Sequence, residues 1–162
     1  MSFTKIAVLG LGKVGHLAAE LLVEAGFEVT GVDARAVAGC PFPVKVVDLA
    51  GDLDTVLTGH EAVLSCLPYH LNKGISSAAH KLGLHYFDLT EDVPTTKHIH
   101  GLAKTSKGVM APQCGLAPGF IGIVGAHLAE MFERVRSIRL RVGALPQNPP
   151  GHPGYCPFYT SD

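Results

Sequence analysis

Residues 5–33 read KIAVLGLGKVGHLAAELLVEAGFEVTGVD, an order that predicts a strand, a glycine turn, a helix and a second strand ending on an acid. The apolar run at residues 6–9 is typical of a strand buried on both faces of a parallel sheet. The segment GLGKVG at residues 10–15 then fits the pattern G-x-G-x-x-G. We therefore expect a dinucleotide to bind where the first strand meets the helix.

Each glycine of this segment has a predicted role. Gly10 allows the tight turn out of the strand, Gly12 lets a pyrophosphate approach the backbone, and Gly15 lets the helix pack closely on the sheet. The phosphates are expected on free N–H groups at the positive end of the helix, where Lys13 and Val14 lie. The helix is predicted to bury one apolar stripe, which consists of Val14, Leu17, Ala18, Leu21, Leu22 and Ala25.

An acidic residue ends the second predicted strand where a ribose ligand is expected. Asp33 follows Gly15 at close to the spacing of about 20 residues that places a carboxylate on a ribose hydroxyl. Its charge would repel a 2′-phosphate, whereas Arg35 would pair with that phosphate if Asp33 turned away. NAD is therefore the expected cofactor, and NADP is the alternative.

Composition narrows the class of protein. The chain has 162 residues, of which 47% are hydrophobic and 17% charged, and this balance predicts a folded core rather than disorder. A net charge of −1 and a pI near 6.7 offer no electrostatic basis for binding nucleic acid or an anionic membrane. The four cysteines are scattered, so no metal site is expected. We expect them to be free thiols in a reducing, cytoplasmic compartment. The expected partner is a small molecule.

Alternating apolar strand segments and helical segments continue beyond Asp33 as far as Met110. This alternation predicts an α/β fold with a Rossmann-type doubly wound parallel sheet, whose ligand lies at the carboxyl ends of the strands. A turn-rich segment, PQCGLAPG at residues 112–119, then precedes a helix predicted from about Phe120 to Phe132.

A different sheet is predicted near the end of the chain. Residues 137–142 alternate apolar and polar side chains with a period of two, which is typical of a half-exposed strand. We therefore predict a dinucleotide-binding domain over residues 1–117. Residues 118–162 are predicted to supply a linking helix and the first strand of a second, incomplete α/β domain.

The loop after the fourth predicted strand carries candidate site residues. Leu67 and Pro68 are expected against the cofactor, and Tyr69 is expected to form a wall of the cleft. His70 is a candidate base for a hydride transfer in which the substrate must also lose a proton. A surface histidine at the start of a helix explains His70 equally well.

Acidic residues follow the fifth predicted strand. Asp88, Glu91 and Asp92 are candidates to face a substrate, with Glu91 and Asp92 the better candidates for a catalytic role. Helix capping by Thr90, with acids in the first turn, explains the same residues without a function in catalysis. Both interpretations stay open at this point.

Three motifs behind the glycine segment resemble those of one known family. They are SCLPY at residues 65–69, DLTED at 88–92 and CGLAPG at 114–119, and RVGALP follows at 141–146. Together they resemble the saccharopine dehydrogenase family, in particular lysine 6-dehydrogenase and saccharopine-reductase-like proteins.

The resemblance implies an NAD(P)-dependent oxidoreductase acting on a C–N bond of an amino acid such as lysine. On this interpretation His70 would take the amine proton as the hydride transfer makes an iminium. The acids Asp88, Glu91 and Asp92 would face the ammonium group of the substrate.

The resemblance also implies a second domain that completes the substrate cleft and often a homodimer interface, and it places Gly115, Pro118 and Gly119 in the substrate cleft near the nicotinamide. This chain ends at Asp162, where that second domain has contributed only its first strand. Much of the family's substrate site is therefore expected to be absent, and the cofactor half is expected to be present.

A function from another class competes with this prediction. Residues 1–33 also resemble the NAD-binding domains attached to potassium-transport systems, which would make the chain a regulatory NAD-binding module without catalysis. The downstream motifs at residues 114–119 and 141–143 favour the enzyme, because a sensor does not need them.

Overall fold

A computed structural model describes residues 3–49, 51 and 53–143. In chain order its elements are β1 (Lys5–Leu9), α1 (Lys13–Glu24), β2 (Glu28–Asp33), β3 (Val44–Val46), α2 (Leu53–Leu57), β4 (Ala62–Ser65), α3 (Tyr69–Leu82), β5 (His85–Asp88), α4 (Val93–Ala103), β6 (Met110–Ala111) and α5 (Phe120–Ala129). The strands form one parallel sheet in the order β3-β2-β1-β4-β5-β6. This is the predicted Rossmann-type doubly wound fold.

The register of β1 locates the crevice where a ligand would bind. On one side Ile6 lies opposite Val29 of β2, and on the other side it lies opposite Ala62 of β4. The connections from β1 and from β4 therefore run in opposite directions across the sheet. The carboxyl ends of these two strands border the switch point at which ligands bind in open α/β sheets.

Helices cover both faces of the sheet, and each face has its own apolar core. Ala7 and Leu9 of β1 pack with residues of α2, α3 and α4, whereas Ile6 and Val8 pack on the side of α1. Burial on both faces explains why the central strands are apolar at successive positions.

The buried face of α1 differs from the predicted stripe. The buried residues of this helix are Gly15 and Ala19, with Leu22 and Val23 packed beside them. The reason is the close approach at Gly15, which places the side of the helix with the smallest residues on the sheet. Large members of the predicted stripe are exposed: Val14 by 58%, Leu17 by 56% and Leu21 by 54%.

The chain divides into two compact units, residues 1–114 and residues 115–162, whereas the predicted boundary follows residue 117. In the second unit α5 ends at Ala129, before the predicted Phe132, and its Gly125 is buried with Leu140 beside it. Residues 144–162 of the predicted second domain lie outside the described residues.

The strand predicted over residues 137–142 is not formed; these residues are irregular and exposed. A strand requires a neighbour to accept and donate its backbone hydrogen bonds, and period-two patterning alone does not supply one. Across the described ranges, no helix has the length and hydropathy needed to cross a bilayer.

Candidate functional site

The turn between β1 and α1 has the close contacts that demand glycine. Gly10 has φ +86°, and its N–H donates to the carbonyl of Val32 at 2.8 Å. A Cβ at Gly10 would lie 2.9 Å from Leu67 Cδ2, and a Cβ at Gly15 would lie 1.8 Å from the carbonyl oxygen of Gly10. Both positions therefore exclude a side chain, and the predicted roles of Gly10 and Gly15 agree with this geometry.

Gly12 differs from the other two glycines, because a Cβ built on it meets nothing within 4 Å. It occupies the N-cap position of α1 and no side chain caps the helix there. Lys13 and Val14 follow in the exposed first turn. The open space and the uncapped helix end fit a pyrophosphate, which would accept hydrogen bonds from the backbone N–H groups at this end of α1.

Asp33 lies directly beside this turn. Its Oδ2 accepts a hydrogen bond from the N–H of Leu11 at 2.7 Å, and its Oδ1 accepts one from the N–H of Arg35 at 3.0 Å. Arg35 thus meets Asp33 through its backbone, and its side chain is exposed. The carboxylate is held at the end of β2 next to the glycine turn, where a ribose hydroxyl would meet it.

The end of β4 forms the other wall of this crevice. The N–H of Cys66 donates to the carbonyl of Leu9 at 2.8 Å, which ties the end of β4 to the end of β1. Burial raises the pKa of the Cys66 thiol to about 11, so the side chain is a neutral core group. A Cβ at Gly15 would also lie 3.1 Å from Cys66 Cβ. Cys66 is not among the predicted site residues, although its position directly after an apolar strand indicates that it lies at this edge of the sheet.

Pro68, Tyr69 and His70 are exposed at the start of α3. Pro68 occupies the N-cap position of α3, and the rings of Tyr69 and His70 meet edge to face with centroids 6.0 Å apart. These residues follow β4 at the carboxyl edge of the sheet, as predicted. The histidine is therefore open to solvent on the same edge as the glycine turn.

Two of the acids at the end of β5 and after it have structural hydrogen-bond partners, which the sequence alone did not indicate. Asp92 is the N-cap of α4, and its Oδ2 accepts from the N–H of Thr95 at 2.9 Å and from its hydroxyl at 2.6 Å. The hydrogen bonds from Thr95 hold the pKa of Asp92 below its usual value. Thr90 is not the cap; its hydroxyl accepts from the N–H of Asp92 at 3.1 Å. Glu91, between them, is exposed.

Asp88 does not face solvent, contrary to the prediction that it would meet a substrate ammonium group. It is fully buried at the end of β5, and its carboxylate accepts hydrogen bonds from Tyr86 at 2.7 Å and from the Thr90 N–H at 3.0 Å. Burial raises the pKa of this carboxyl. The period of the strand explains the difference, because Asp88 points to the same covered face as Tyr86.

Gly115, Pro118 and Gly119 belong to the second unit and form a closed turn there. Gly115 and Gly119 make an isolated bridge, and the N–H of Phe120 donates to the carbonyl of Gly115 at 2.8 Å. Gly119 has φ +132°, a conformation suited to glycine. Among the residues described, no group of three or more His, Cys, Asp or Glu side chains is arranged to hold a metal ion.

Solved structures share this architecture. The chain is similar to apo saccharopine dehydrogenase (L-Glu forming) from Saccharomyces cerevisiae, with a TM-score of 0.61 and 19% identity over 79% of this chain and 30% of that one. It is also similar to a D-isomer specific 2-hydroxyacid dehydrogenase from Xanthobacter autotrophicus Py2, with a TM-score of 0.52 and 22% identity over 67% of this chain and 37% of that one.

A third similar structure is MoeE5 in complex with UDP-glucuronic acid and NAD, with a TM-score of 0.52 and 15% identity over 64% of this chain and 52% of that one. At these identities the likeness establishes the fold. This chain matches less than a third of the length of the yeast enzyme.

The sequence itself matches a family over most of the sheet. Residues 6–111 match the family described as saccharopine dehydrogenase NADP binding domain, and this range runs from the second residue of β1 to the end of β6. It includes the glycine turn, Asp33 and the end of β4, whose geometry fits a dinucleotide. The chain therefore carries an NAD(P)-binding domain and belongs to the saccharopine dehydrogenase family.

Proposed function

We propose that this protein is an NAD(P)-dependent oxidoreductase acting on a C–N bond of an amino acid, of the lysine 6-dehydrogenase or saccharopine dehydrogenase type, and that this chain supplies mainly its cofactor-binding portion. The observation that carries the proposal is the preformed crevice at the carboxyl ends of β1 and β4, with Asp33 held on the Leu11 N–H. The family match over residues 6–111 supports the chemistry.

The residues of this chain have separable roles in the proposal. Bound NAD(P) would accept or deliver the hydride. The backbone at Gly12 and the N-terminus of α1 would hold its pyrophosphate, and Leu67 and Pro68 would line the crevice beside it. Asp33 would bind a ribose hydroxyl.

We further propose that NAD is preferred over NADP. Both oxygens of Asp33 accept backbone N–H groups, so the carboxylate is held in place and its charge would meet a 2′-phosphate directly. The guanidinium of Arg35 does not pair with it. Rotating the carboxylate away would break the 2.7 Å bond from Leu11, which opposes the arrangement that an NADP site needs.

His70 and Glu91 are the proposed acid–base groups. Both are exposed after the ends of β4 and β5, so a substrate at the carboxyl edge would reach them. A base is required because the substrate amine must lose a proton as the hydride leaves. Asp92 is the weaker candidate, since the hydrogen bonds from Thr95 keep its carboxylate as a helix cap.

A regulatory NAD-binding module, as in potassium-transport regulators, is the second candidate. A specific observation favours it: Asp88 is buried and Asp92 caps α4, so two of the three acids after β5 have structural explanations. The glycine turn and Asp33 would suffice for such a module, because sensing requires binding without turnover.

Cofactor titration tests the shared part of both proposals. Calorimetry with the oxidised and reduced forms of NAD and NADP should show tighter binding of the NAD forms to the wild-type chain. Asp33→Ala should lose this preference and weaken NAD binding. Asp33→Asn keeps one oxygen, which can accept from the Leu11 N–H but leaves the Arg35 N–H without its acceptor, so this variant should lose the discrimination against the 2′-phosphate and weaken NAD binding less than Asp33→Ala does. Equal affinity for NAD and NADP in the wild type would contradict the proposed preference.

Turnover separates the enzyme from the sensor. Reduction of NAD should be followed with lysine and with saccharopine, using the wild type, His70→Ala and Glu91→Gln. Loss of turnover with unchanged cofactor affinity in either variant would support its acid–base role. Cofactor binding without turnover in a protein that contains the complete second domain would favour the regulatory module. Sedimentation of the same protein tests the homodimer that we also propose.

A further inference from the structure

Asp88 joins two loops at the carboxyl edge of the sheet. Its Oδ1 accepts from the N–H of Thr90, in the loop after β5, and from the N–H of Gln113 at 3.3 Å, in the segment after β6. Its Oδ2 accepts from the Tyr86 hydroxyl, which lies on the same face of β5. The backbone carbonyl of Asp88 accepts from the N–H of Cys114 at 2.7 Å.

These bonds change the register of the chain after β6. Phe87 lies opposite Ala111, and the backbone N–H of Tyr86 donates to the carbonyl of Val109. If the parallel ladder continued regularly, the N–H of Gln113 would donate to the backbone carbonyl of Asp88. The N–H of Gln113 donates instead to the Asp88 carboxylate, and the N–H of Cys114 donates to the Asp88 carbonyl. One extra residue is thus accommodated at this point, as in a β-bulge.

The backbone of Gln113 adopts an unfavourable conformation in this arrangement. Gln113 has φ +67°, and no other non-glycine residue in the described part of the chain has a positive φ. A conformation of this kind persists where surrounding bonds hold it, and it is concentrated near functional sites. The buried carboxylate of Asp88 is the group that holds it, because it accepts the N–H that the extra residue would leave without a ladder partner.

The direction of the Cys114 side chain depends on this register. Successive side chains of an extended segment point to opposite faces, so a slip of one residue would turn Cys114 to the other face of the sheet. In the observed register its thiol lies 3.3 Å from the carbonyl of Ala111 and lines an apolar cavity of about 250 Å³ with Leu64 and Phe87.

We propose that Asp88 is a positioning residue: its buried carboxylate sets the register of Gln113 and Cys114 and so presents this segment at the cofactor edge of the sheet. Its effect on turnover rests on the proposed oxidoreductase function, whereas the positioning itself does not. Burial and the nearby Asp88 charge both raise the pKa of the Cys114 thiol, which agrees with a close and persistent approach of the two groups.

An amide signature tests the positioning in the intact chain. In a ¹⁵N-labelled wild-type protein, the amide protons of Gln113 and Thr90 should shift together as the pH crosses the titration of Asp88, because both donate to the same carboxylate oxygen. Asp88→Asn should abolish this shared titration while both amides remain protected from exchange. If the amide proton shift of Gln113 does not change over the pH range in which that of Thr90 titrates, the proposal is wrong.

Alkylation of Cys114, followed by peptide mass spectrometry, gives an independent measurement. Asp88→Asn and Asp88→Ala both remove the charge, but only Asn keeps an oxygen that can accept from Gln113. Cys114 is exposed in the observed register. We expect its labelling rate in Asp88→Ala to differ at least about fivefold from the rate in Asp88→Asn, because a slip of one residue would turn the thiol to the other face of the sheet. Equal rates in two folded variants would contradict the proposal.

Ser65→Ala is the matched control. It removes a different buried hydrogen bond at the end of the neighbouring strand, from Ser65 Oγ to Asn72 Oδ1 at 2.7 Å. It should lower stability without changing the labelling rate of Cys114, which separates register from general loosening. If Asp88→Ala does not fold, the amide signature of the wild type decides the question alone.

Functional readouts keep the two proposals distinguishable. If the protein is an amino-acid oxidoreductase, kcat should fall in Asp88→Ala and recover largely in Asp88→Asn, while the affinity for NAD stays within about twofold because Asp88 lies outside the glycine turn. Absent turnover in every variant of a protein that contains the complete second domain, with the amide and labelling results as expected, would reject the proposed function and support the positioning role.

Discussion

Replacing Gly12 with alanine should abolish cofactor binding and leave the fold intact. Gly12 has φ −67° and ψ −170°, which alanine adopts without strain, and the added methyl group would meet no atom within 4 Å. Alanine restricts the unfolded chain, which stabilises the fold, but it is a poorer N-cap than glycine, which destabilises the helix. Because these two effects oppose each other, the free energy of unfolding should change by less than about 1 kcal/mol.

The open space that tolerates the methyl group is the space that a pyrophosphate would occupy. A methyl group there would separate the phosphates from the N–H groups at the start of α1. Hydrogen bonds to a charged group contribute about 1.5–3 kcal/mol each, so losing two of them would cost at least about 3 kcal/mol. The dissociation constant for NAD should therefore rise by at least about 100-fold.

Calorimetric titration with NAD, together with thermal unfolding, measures both effects. Gly101→Ala is the matched control, because Gly101 lies in α4 and its Cβ would also meet nothing within 4 Å; it should raise stability slightly and leave NAD affinity unchanged. Gly15→Ala should instead unfold the domain, since its Cβ would lie 1.8 Å from a backbone oxygen. Undiminished NAD affinity in a folded Gly12→Ala protein would refute the assignment of the pyrophosphate to this turn.

Three further outcomes follow from the geometry. Asp92→Ala should lose about 1 kcal/mol of stability through the missing N-cap, measured by urea unfolding, whereas exposed Glu91→Ala should lose none. Tyr86→Phe should cost about 1–3 kcal/mol, because it removes a donor from the buried Asp88 carboxylate; an unchanged urea midpoint would contradict that bond. Burial lowers the pKa of His60 below 6.5. The contribution of neutral His60 to the free energy of unfolding should therefore be fully present above pH 6.5 and be lost as the pH falls below it, and His60→Gln should flatten this part of the pH profile.

Much of the geometry of the candidate cofactor site could be predicted because its determinants lie close together in the chain. The glycine spacing, the helix after it and the acid at the end of the second strand are local features with known geometric requirements. The positions of Gly10 and Gly15 against neighbouring backbone and of Asp33 beside Leu11 agree with those expectations.

The errors arose where burial depends on partners distant in the sequence. The apolar stripe of α1 was misassigned because periodicity shows that a helix has an apolar side, but the close contact at Gly15 selects the side that meets the sheet. The alternation at residues 137–142 predicts a strand, yet these residues are irregular, because a strand requires a hydrogen-bonded neighbour.

The sequence by itself determined the class of fold and the family, and it predicts where the nucleotide binds, because these depend on short-range patterns that the backbone must satisfy locally. Only the tertiary structure decided that Asp88 is buried and that Asp92 caps α4, since carboxylates in one short segment can face either solvent or core. The choice depends on Tyr86 and Gln113 for the first acid and on Thr95 for the second. The packing that brings β6 beside β5 determines the partners of Asp88, and no spacing along the chain specifies it.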